Sequence, residues 1–198
     1  MKIIPHFSAE GLSNVYLIID KKNNGIIIDP AQVDKELLDF IESNHTDLKA
    51  VLVTHKHQAH TAGLGTLIKI YNPAVYAYES SINGYPAIQV HDNGIIRIGE
   101  MEVKAFHVPG HSIDSLVYLI ESALFTGDTL ISGSIASTHS FVERALLIRS
   151  LMDKIMDLDD STLVYPGHGA LSKLRIEKML NQDLLQFESD NKAGKISI

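Results

Sequence analysis

The sequence predicts an α/β protein, a mixed sheet covered by helices, and three observations carry that reading. Residues 95–98, 102–108, 116–120 and 123–126 are short apolar runs parted by glycine, proline or charged turns. That series is too tight for simple βαβ winding and points to an antiparallel or mixed sheet. Residues 48–53 read as a buried strand that passes through a short loop into helical spacing at Leu64, Leu67, Ile68 and Tyr71. Residues 33–43, 141–157 and 171–187 repeat their apolar positions at helical intervals.

Taken in order, residues 15–20 and 25–29 are apolar runs joined through Lys21-Lys22-Asn23-Asn24, and Asn24-Gly25 marks a hairpin turn. Asp29-Pro30 ends the second strand. The helix at 33–43 buries Leu37, Leu38, Phe40 and Ile41. Asn72-Pro73 breaks the helix that ends near Tyr71, and 75–78 resumes strand character. Residues 80–93 are the least regular stretch, with Gly84-Tyr85-Pro86 as a loop. The helix at 141–157 carries Leu146, Leu147, Leu151 and Ile155 on a stripe that continues to Leu158. A strand follows at 162–165. The last helix, 171–187, shows Leu174, Ile176, Leu180, Leu184 and Phe187, and the polar tail after Glu188 is expected to fray. With no linker or repeat, residues 1–198 are expected to form a single domain.

Composition narrows the function. Hydrophobic residues make up 45% of the chain, enough for a substantial core. The net charge of -7, without a basic block, argues against nucleic acid as the main partner. With no cysteine, neither a disulfide framework nor thiolate metal ligation is available. Met1-Lys2-Ile3-Ile4-Pro5-His6 lacks the apolar core of a signal peptide, and no apolar segment approaches the roughly 20 residues of a spanning helix. The expectation is a cytoplasmic protein with a small-molecule substrate and no membrane partner. The oligomeric state is left open.

The chemistry concentrates in Thr54-His55-Lys56-His57-Gln58-Ala59-His60-Thr61-Ala62-Gly63. His55 and His57, two apart in extended chain, point the same way, and the helix start turns His60 back toward them. Neutral imidazole is the commonest metal ligand. Three further stations repeat the pattern of strand end, glycine turn and ligand: Pro109-Gly110-His111, Thr126-Gly127-Asp128 and Pro166-Gly167-His168. Four strand ends of one sheet bearing five imidazoles and a carboxylate suggest one metal site built from His55, His57, His60, His111, Asp128 and His168. His6, His45, His91 and His107 read as hydrogen-bonded core or surface groups, and His107 is expected to point away from His111. Tyr85 and His139 lie in irregular loops, as ordinary loop residues or as contacts to a substrate.

These stations resemble the metallo-β-lactamase superfamily. The resemblance covers Asp29-Pro30, the Thr-His-x-His-x-x-His loop, Pro-Gly-His at 109–111, Phe-Thr-Gly-Asp-Thr-Leu at 125–130 and Tyr-Pro-Gly-His-Gly at 165–169. Spacing and short length look most like the small glyoxalase II-like (hydroxyacylglutathione hydrolase-like) branch. The resemblance implies an αβ/βα four-layer sandwich of two mixed sheets flanked by helices. It implies a first metal position at His55, His57 and His111, a second at His60 and His168 plus an aspartate within the loop, and Asp128 bridging both. Asp29 resembles the strand-end aspartate that braces the loop from behind. Zinc is the implied cofactor, as one or two ions, with iron or manganese as alternatives.

Two departures modify that picture. Ala59 stands where the family has the loop aspartate, and a methyl group coordinates nothing. Gln58 is adjacent, but neighbouring side chains on extended chain point apart. The second position keeps His60, His168 and Asp128, resembling a two-His-one-carboxylate face, while the first keeps a complete four-ligand set. One well-held ion and one weak or empty position are therefore expected. In place of the branch's arginine-bearing loop the chain has Ala136-Ser137-Thr138-His139, and it stops soon after the final helix, so glutathione is not the expected substrate. The implied chemistry is hydrolysis of an acyl carbon, a thioester foremost, with His111 and Asp128 central and activity weakened by Ala59. The alternatives are a mono-iron enzyme like the superfamily's persulfide dioxygenases, with iron held through His55, His111 and Asp128, and a non-catalytic metal-binding member.

Overall fold

A computed structural model describes residues 1–9 and 11–192. Its first sheet opens with three antiparallel strands, β1 (Lys2–Ser8), β2 (Ser13–Ile19) and β3 (Asn24–Ile28). Helix α1 (Lys35–Ser43) then crosses to β4 (Asp47–Leu52), parallel to β3. Helices α2 (Gln58–Thr61) and α3 (Leu64–Tyr71) cross to β5 (Ala74–Ala77), parallel to β4. A small hairpin of β6 (Ser81–Ile82) and β7 (Tyr85–Pro86) precedes β8 (Ile88–Gln89), which completes the order β1-β2-β3-β4-β5-β8.

The second sheet contains β9 (Ile95–Ile98), β10 (Met101–His107), β11 (Leu116–Ile120) and β12 (Ala123–Gly127) as an antiparallel meander. After α4 (Phe141–Lys154) come β13 (Leu163–Pro166), parallel to β12, and β14 (Ser172–Lys173), then α5 (Leu174–Leu180) and α6 (Gln182–Lys192). The order is β14-β13-β12-β11-β10-β9. Strands β10, β12 and β13 run the same way, so their carboxyl ends share one edge.

Strand β2 explains the layering. Tyr16 and Ile18 face the second sheet, where they meet Val103, Leu116, Tyr118 and Phe125. Val15, Leu17 and Ile19 alternate to the opposite face and pack with Leu37 and Ile41 of α1 and Leu64 and Leu67 of α3. Phe106, Val117 and Leu124 turn outward from the second sheet onto Leu147, Leu151, Leu174 and Leu184 of the later helices. A period of two with both faces apolar gives a strand buried on both sides. The result is the expected αβ/βα four-layer sandwich.

Several elements differ from the sequence reading. Strand β1 is absent from it, because an edge strand with Pro5 and alternating exposed residues carries a weak apolar signal. Helix 33–43 starts at Lys35, where the Asp34 side chain accepts from the Leu37 amide as a cap. Helix 141–157 ends at Lys154. The single helix expected at 171–187 is instead β14, α5 and α6, interrupted at Asn181, whose backbone is extended. Helix α6 runs to Lys192, past the expected fraying point; the rest of that tail lies outside the described residues. The four ligand-bearing strand ends belong to two facing sheets, not one. Among the described residues no helix is long and apolar enough to cross a membrane.

Asp20 ties the β2–β3 turn to the second sheet. Its carboxylate accepts from the amides of Lys22 (2.8 Å), Asn24 (2.9 Å) and Glu100 (2.9 Å) and from the Asn24 side chain (2.8 Å). Burial opposes ionisation, but these four donors outweigh it and lower the pKa to about 2. A depressed carboxylate contributes stability above its unfolded pKa and loses it as pH falls toward the folded value. Asp20→Ala is expected to cost roughly 1–3 kcal/mol in urea melts at neutral pH. That difference should shrink as pH drops from about 4 toward 2.

Candidate metal centre

The centre starts from Asp29, at the end of β3 with φ +52. This carboxylate accepts from the Thr54 amide (2.7 Å) and hydroxyl (2.6 Å), fixing the chain as it leaves β4. It also accepts from Nδ1 of His60 at 3.0 Å. His57 precedes the single turn of α2, and the turn brings His60 back beside His55, with ring centroids 4.3 Å apart. The second sheet supplies the facing wall: His111 beyond β10, Asp128 beyond β12 and His168 beyond β13. Gly167 permits that approach, since a Cβ there would lie 2.5 Å from His60 Cε1 and 2.8 Å from Asp128 Oδ1.

Outward hydrogen bonds decide which ring nitrogens face inward. Thr54 Oγ1 spends its proton on Asp29, so at 3.1 Å it accepts from His55 Nδ1 and leaves His55 Nε2 unprotonated. His111 Nδ1 donates to the Ser137 carbonyl (2.9 Å), which leaves its Nε2 facing His57 Nδ1 at 3.2 Å. His55 Nε2 lies 2.9 Å from the same His57 Nδ1. His168 Nε2 donates to the Gly11 carbonyl (3.2 Å), turning Nδ1 to Asp128 Oδ1 at 2.7 Å. His60 Nε2 is buried, 3.4 Å from Asp128 Oδ2, and has no hydrogen-bond partner. Stranding a buried polar atom costs about 1–3 kcal/mol, which a cation at that position would relieve.

Two donor groups result. His55, His57, His111 and Asp128 offer ligand atoms within 4.8 Å of one another, as do His60, Asp128 and His168. These imidazoles and one carboxylate suit a divalent metal. Their charge states differ. Burial pushes His55 down to about 3, with the neighbouring His60 adding to the effect. Burial and then His111 lower His57. Burial also opposes charge on His60, but the Asp29 and Asp128 carboxylates win and raise it well above the ordinary imidazole value. Hydrogen bonding to Asp128 raises His168. Burial disfavours the charge on Asp128, yet His168 and His60 hold its carboxyl far below the usual range.

All six anticipated side chains converge. Ala59 lies half-buried in α2, with its carbonyl accepting from Ser13 Oγ (2.7 Å), and adds no donor. Gln58 is exposed at the first position of α2. His6 is buried and bonded to Asp34 (3.1 Å), and His45 and His91 are exposed. His107 stacks on Tyr78 and donates to the Ile113 carbonyl, outside both groups. Tyr85, half-buried, packs on Gly65 of α3 in the outer apolar layer. His139 is exposed two residues beyond Ser137.

The sequence reading missed four partners. Ser137 and Gly11 act through backbone carbonyls, which leave no side-chain signal. Thr54 stood inside the quoted motif without a role. Asp114, buried three residues after His111, accepts from the Lys56 amide at 2.8 Å and pins the histidine loop; a carboxylate so close to a ligand was the available clue.

The Metallo-beta-lactamase superfamily profile matches residues 9–86 and 77–168, most of the chain. The chain belongs to this superfamily. It is 34% identical over 171 residues to a hydroxyacylglutathione hydrolase of Francisella tularensis subsp. tularensis, covering 85% of this chain and 68% of that protein. The crystal structure of BLEG-1 B3 metallo-beta-lactamase superimposes with a TM-score of 0.84 at 25% identity, over 92% of this chain and 99% of that one. ETHE1 from Myxococcus xanthus gives 0.84 at 26% identity, over 96% and 91%. The superfamily's layered fold and a His/Asp cluster able to bind metal are thus both present in this member.

Thr54→Val removes the hydroxyl that orients His55 and bonds Asp29. Metal affinity by chelator competition should fall roughly 10–100-fold. The pH response should separate the two groups. An ion entering the second must displace the proton that the Asp29 and Asp128 carboxylates hold on His60, whereas burial already keeps His55 in the first neutral. Calorimetric zinc titrations from about pH 6 to 8 should show affinity of the second group rising more steeply with pH than that of the first.

Proposed function

We propose that the chain is a metal-dependent hydrolase of acyl compounds, a thioester foremost, with zinc as its ion and iron or manganese as substitutes. The observation that carries this reading is the pair of donor groups sharing Asp128. Its Oδ2 lies 3.8 Å from His55 Nε2, 3.7 Å from His111 Nε2 and 3.4 Å from His60 Nε2, and its Oδ1 meets His168. His55, His57, His111 and Asp128 would hold the first ion; His60, His168 and Asp128 would hold the second. A bound divalent ion supplies a water acidic near neutral pH and a Lewis acid for the acyl carbonyl. Similarity to a hydroxyacylglutathione hydrolase supports a thioester as the substrate.

This chain's residues do the positioning. Asp29 and Thr54 orient His60 and His55 from behind, Ser137 and Gly11 orient His111 and His168, and burial excludes competing water from His55, His60 and Asp128. Ala59 leaves the second group at three donors against four in the first, so the first holds its ion more firmly. A second reading, a mono-iron enzyme like a persulfide dioxygenase, draws on the ETHE1 likeness and on His55, His111 and Asp128 standing in one group. Iron in the purified protein with oxygen uptake on a persulfide would favour it.

Elemental analysis of protein purified without added metal should give close to one ion per chain; two tightly held ions would contradict the asymmetry. Ala59→Asp should increase both metal content and thioester turnover. His111→Ala should lower turnover by at least about 100-fold while far-UV circular dichroism stays unchanged.

A further inference from the structure

The loops around the six donors carry almost no positive charge. Stretches 8–13, 54–63, 108–115, 127–140 and 166–171 together hold one lysine and no arginine. That lysine, Lys56, is engaged by Glu79 at 2.7 Å. A substrate bearing carboxylates or phosphates would therefore meet no uncommitted Lys or Arg side chain on these loops, although such groups are ordinarily gripped by Arg or Lys.

The same loops present apolar side chains instead. Leu12 is 65% exposed, Ile113 67% and Leu171 50%. Leu12 follows Gly11, whose carbonyl meets His168 and on which a Cβ would lie 3.2 Å from Ala59 Cα. Leu171 comes three residues after His168. Ile113 comes two after His111, on the side of the first donor group. Three exposed apolar side chains thus stand on the segments that carry His111 and His168 and on the turn whose carbonyl holds His168.

Leu12 carries a second signal. Its φ is +51, a left-handed conformation that glycine or asparagine adopts more readily than leucine. A leucine there, 65% exposed, gains little burial and bears backbone strain, so the folded state alone does not favour it. Strain of this kind gathers at ligand clamps.

We propose that the centre takes neutral acyl compounds with an apolar tail, held by Leu12, Ile113 and Leu171, in preference to anionic thioesters. This inference rests on the acyl-hydrolase reading for its chemistry but not for its binding test. Octanohydroxamic and acetohydroxamic acids, which share one metal-binding head, are titrated calorimetrically into the zinc-loaded full chain. The octanoyl compound should bind at least tenfold tighter, and Leu12→Ser or Ile113→Ser should cut that ratio at least threefold. Leu12→Asn should lower the ratio while raising Tm, a combination that a purely structural leucine would not give. Equal affinities for the two hydroxamates, or a ratio indifferent to all three substitutions, would overturn the proposal.

Kinetics adds an independent arm. The octanoyl thioester of N-acetylcysteamine should exceed S-octanoylglutathione in kcat/KM by at least tenfold; the reverse order would overturn the preference for neutral substrates. If neither thioester is turned over, the hydrolase reading fails, and the hydroxamate ratio still decides the binding site.

Discussion

Everything at the centre depends on one buried carboxylate. Asp29 is 2% exposed and takes three hydrogen bonds, two from Thr54 and one from His60. Sheet register places it there: Ile28 pairs with Leu52, so Asp29 and Thr54 leave adjacent parallel strands at nearly the same level. A slip of one residue would invert the strand's faces and carry the carboxylate away from the loop. Through Thr54 the same carboxylate fixes the His55 ring, and directly it fixes His60. One anion thus sets a ring in each donor group.

The second constraint is closure of the two sheets at that edge. Tyr118 donates its hydroxyl to the Val53 carbonyl, and the Leu116 amide bonds the Thr54 carbonyl. On the other flank Asn14 reaches the carbonyls of Pro166 and Gly169, while Tyr16 also bonds Pro166. These polar contacts border an apolar interior, where an unpaired group is costly and a satisfied one fixes a single arrangement. They lock the His168 loop against the start of β2. The donors on separate sheets are therefore held facing one another by polar contacts of the fold itself.

Much of this was legible in the sequence because the chemistry marks itself. Histidines do not collect after strand ends by apolar patterning, and the stations at His111, Asp128 and His168 each carried a glycine turn. Helices α1 and α4 showed through their periodic apolar faces. Other features were hidden for physical reasons. The β1 edge strand mixes Pro5 with exposed residues. The break at Asn181 depends on buried polar contacts, its amide meeting Glu177 and the Ser134 carbonyl, while leucine spacing runs on across it. The orienting carbonyls of Gly11 and Ser137 belong to the backbone, and no residue type announces them. Residue patterning alone also placed the donors on one sheet, whereas the family resemblance carried the two-sheet architecture.

The central claim is that inward-facing nitrogens from both sheets, each turned by an outward partner, converge with Asp128 on a cation. Anomalous diffraction at the zinc edge, from crystals grown with zinc, tests it most directly. A strong peak is expected among His55 Nε2, His57 Nδ1, His111 Nε2 and Asp128, and a weaker one beside His60 and His168. No peak at the first position, with the rings still bonded to one another, would contradict it.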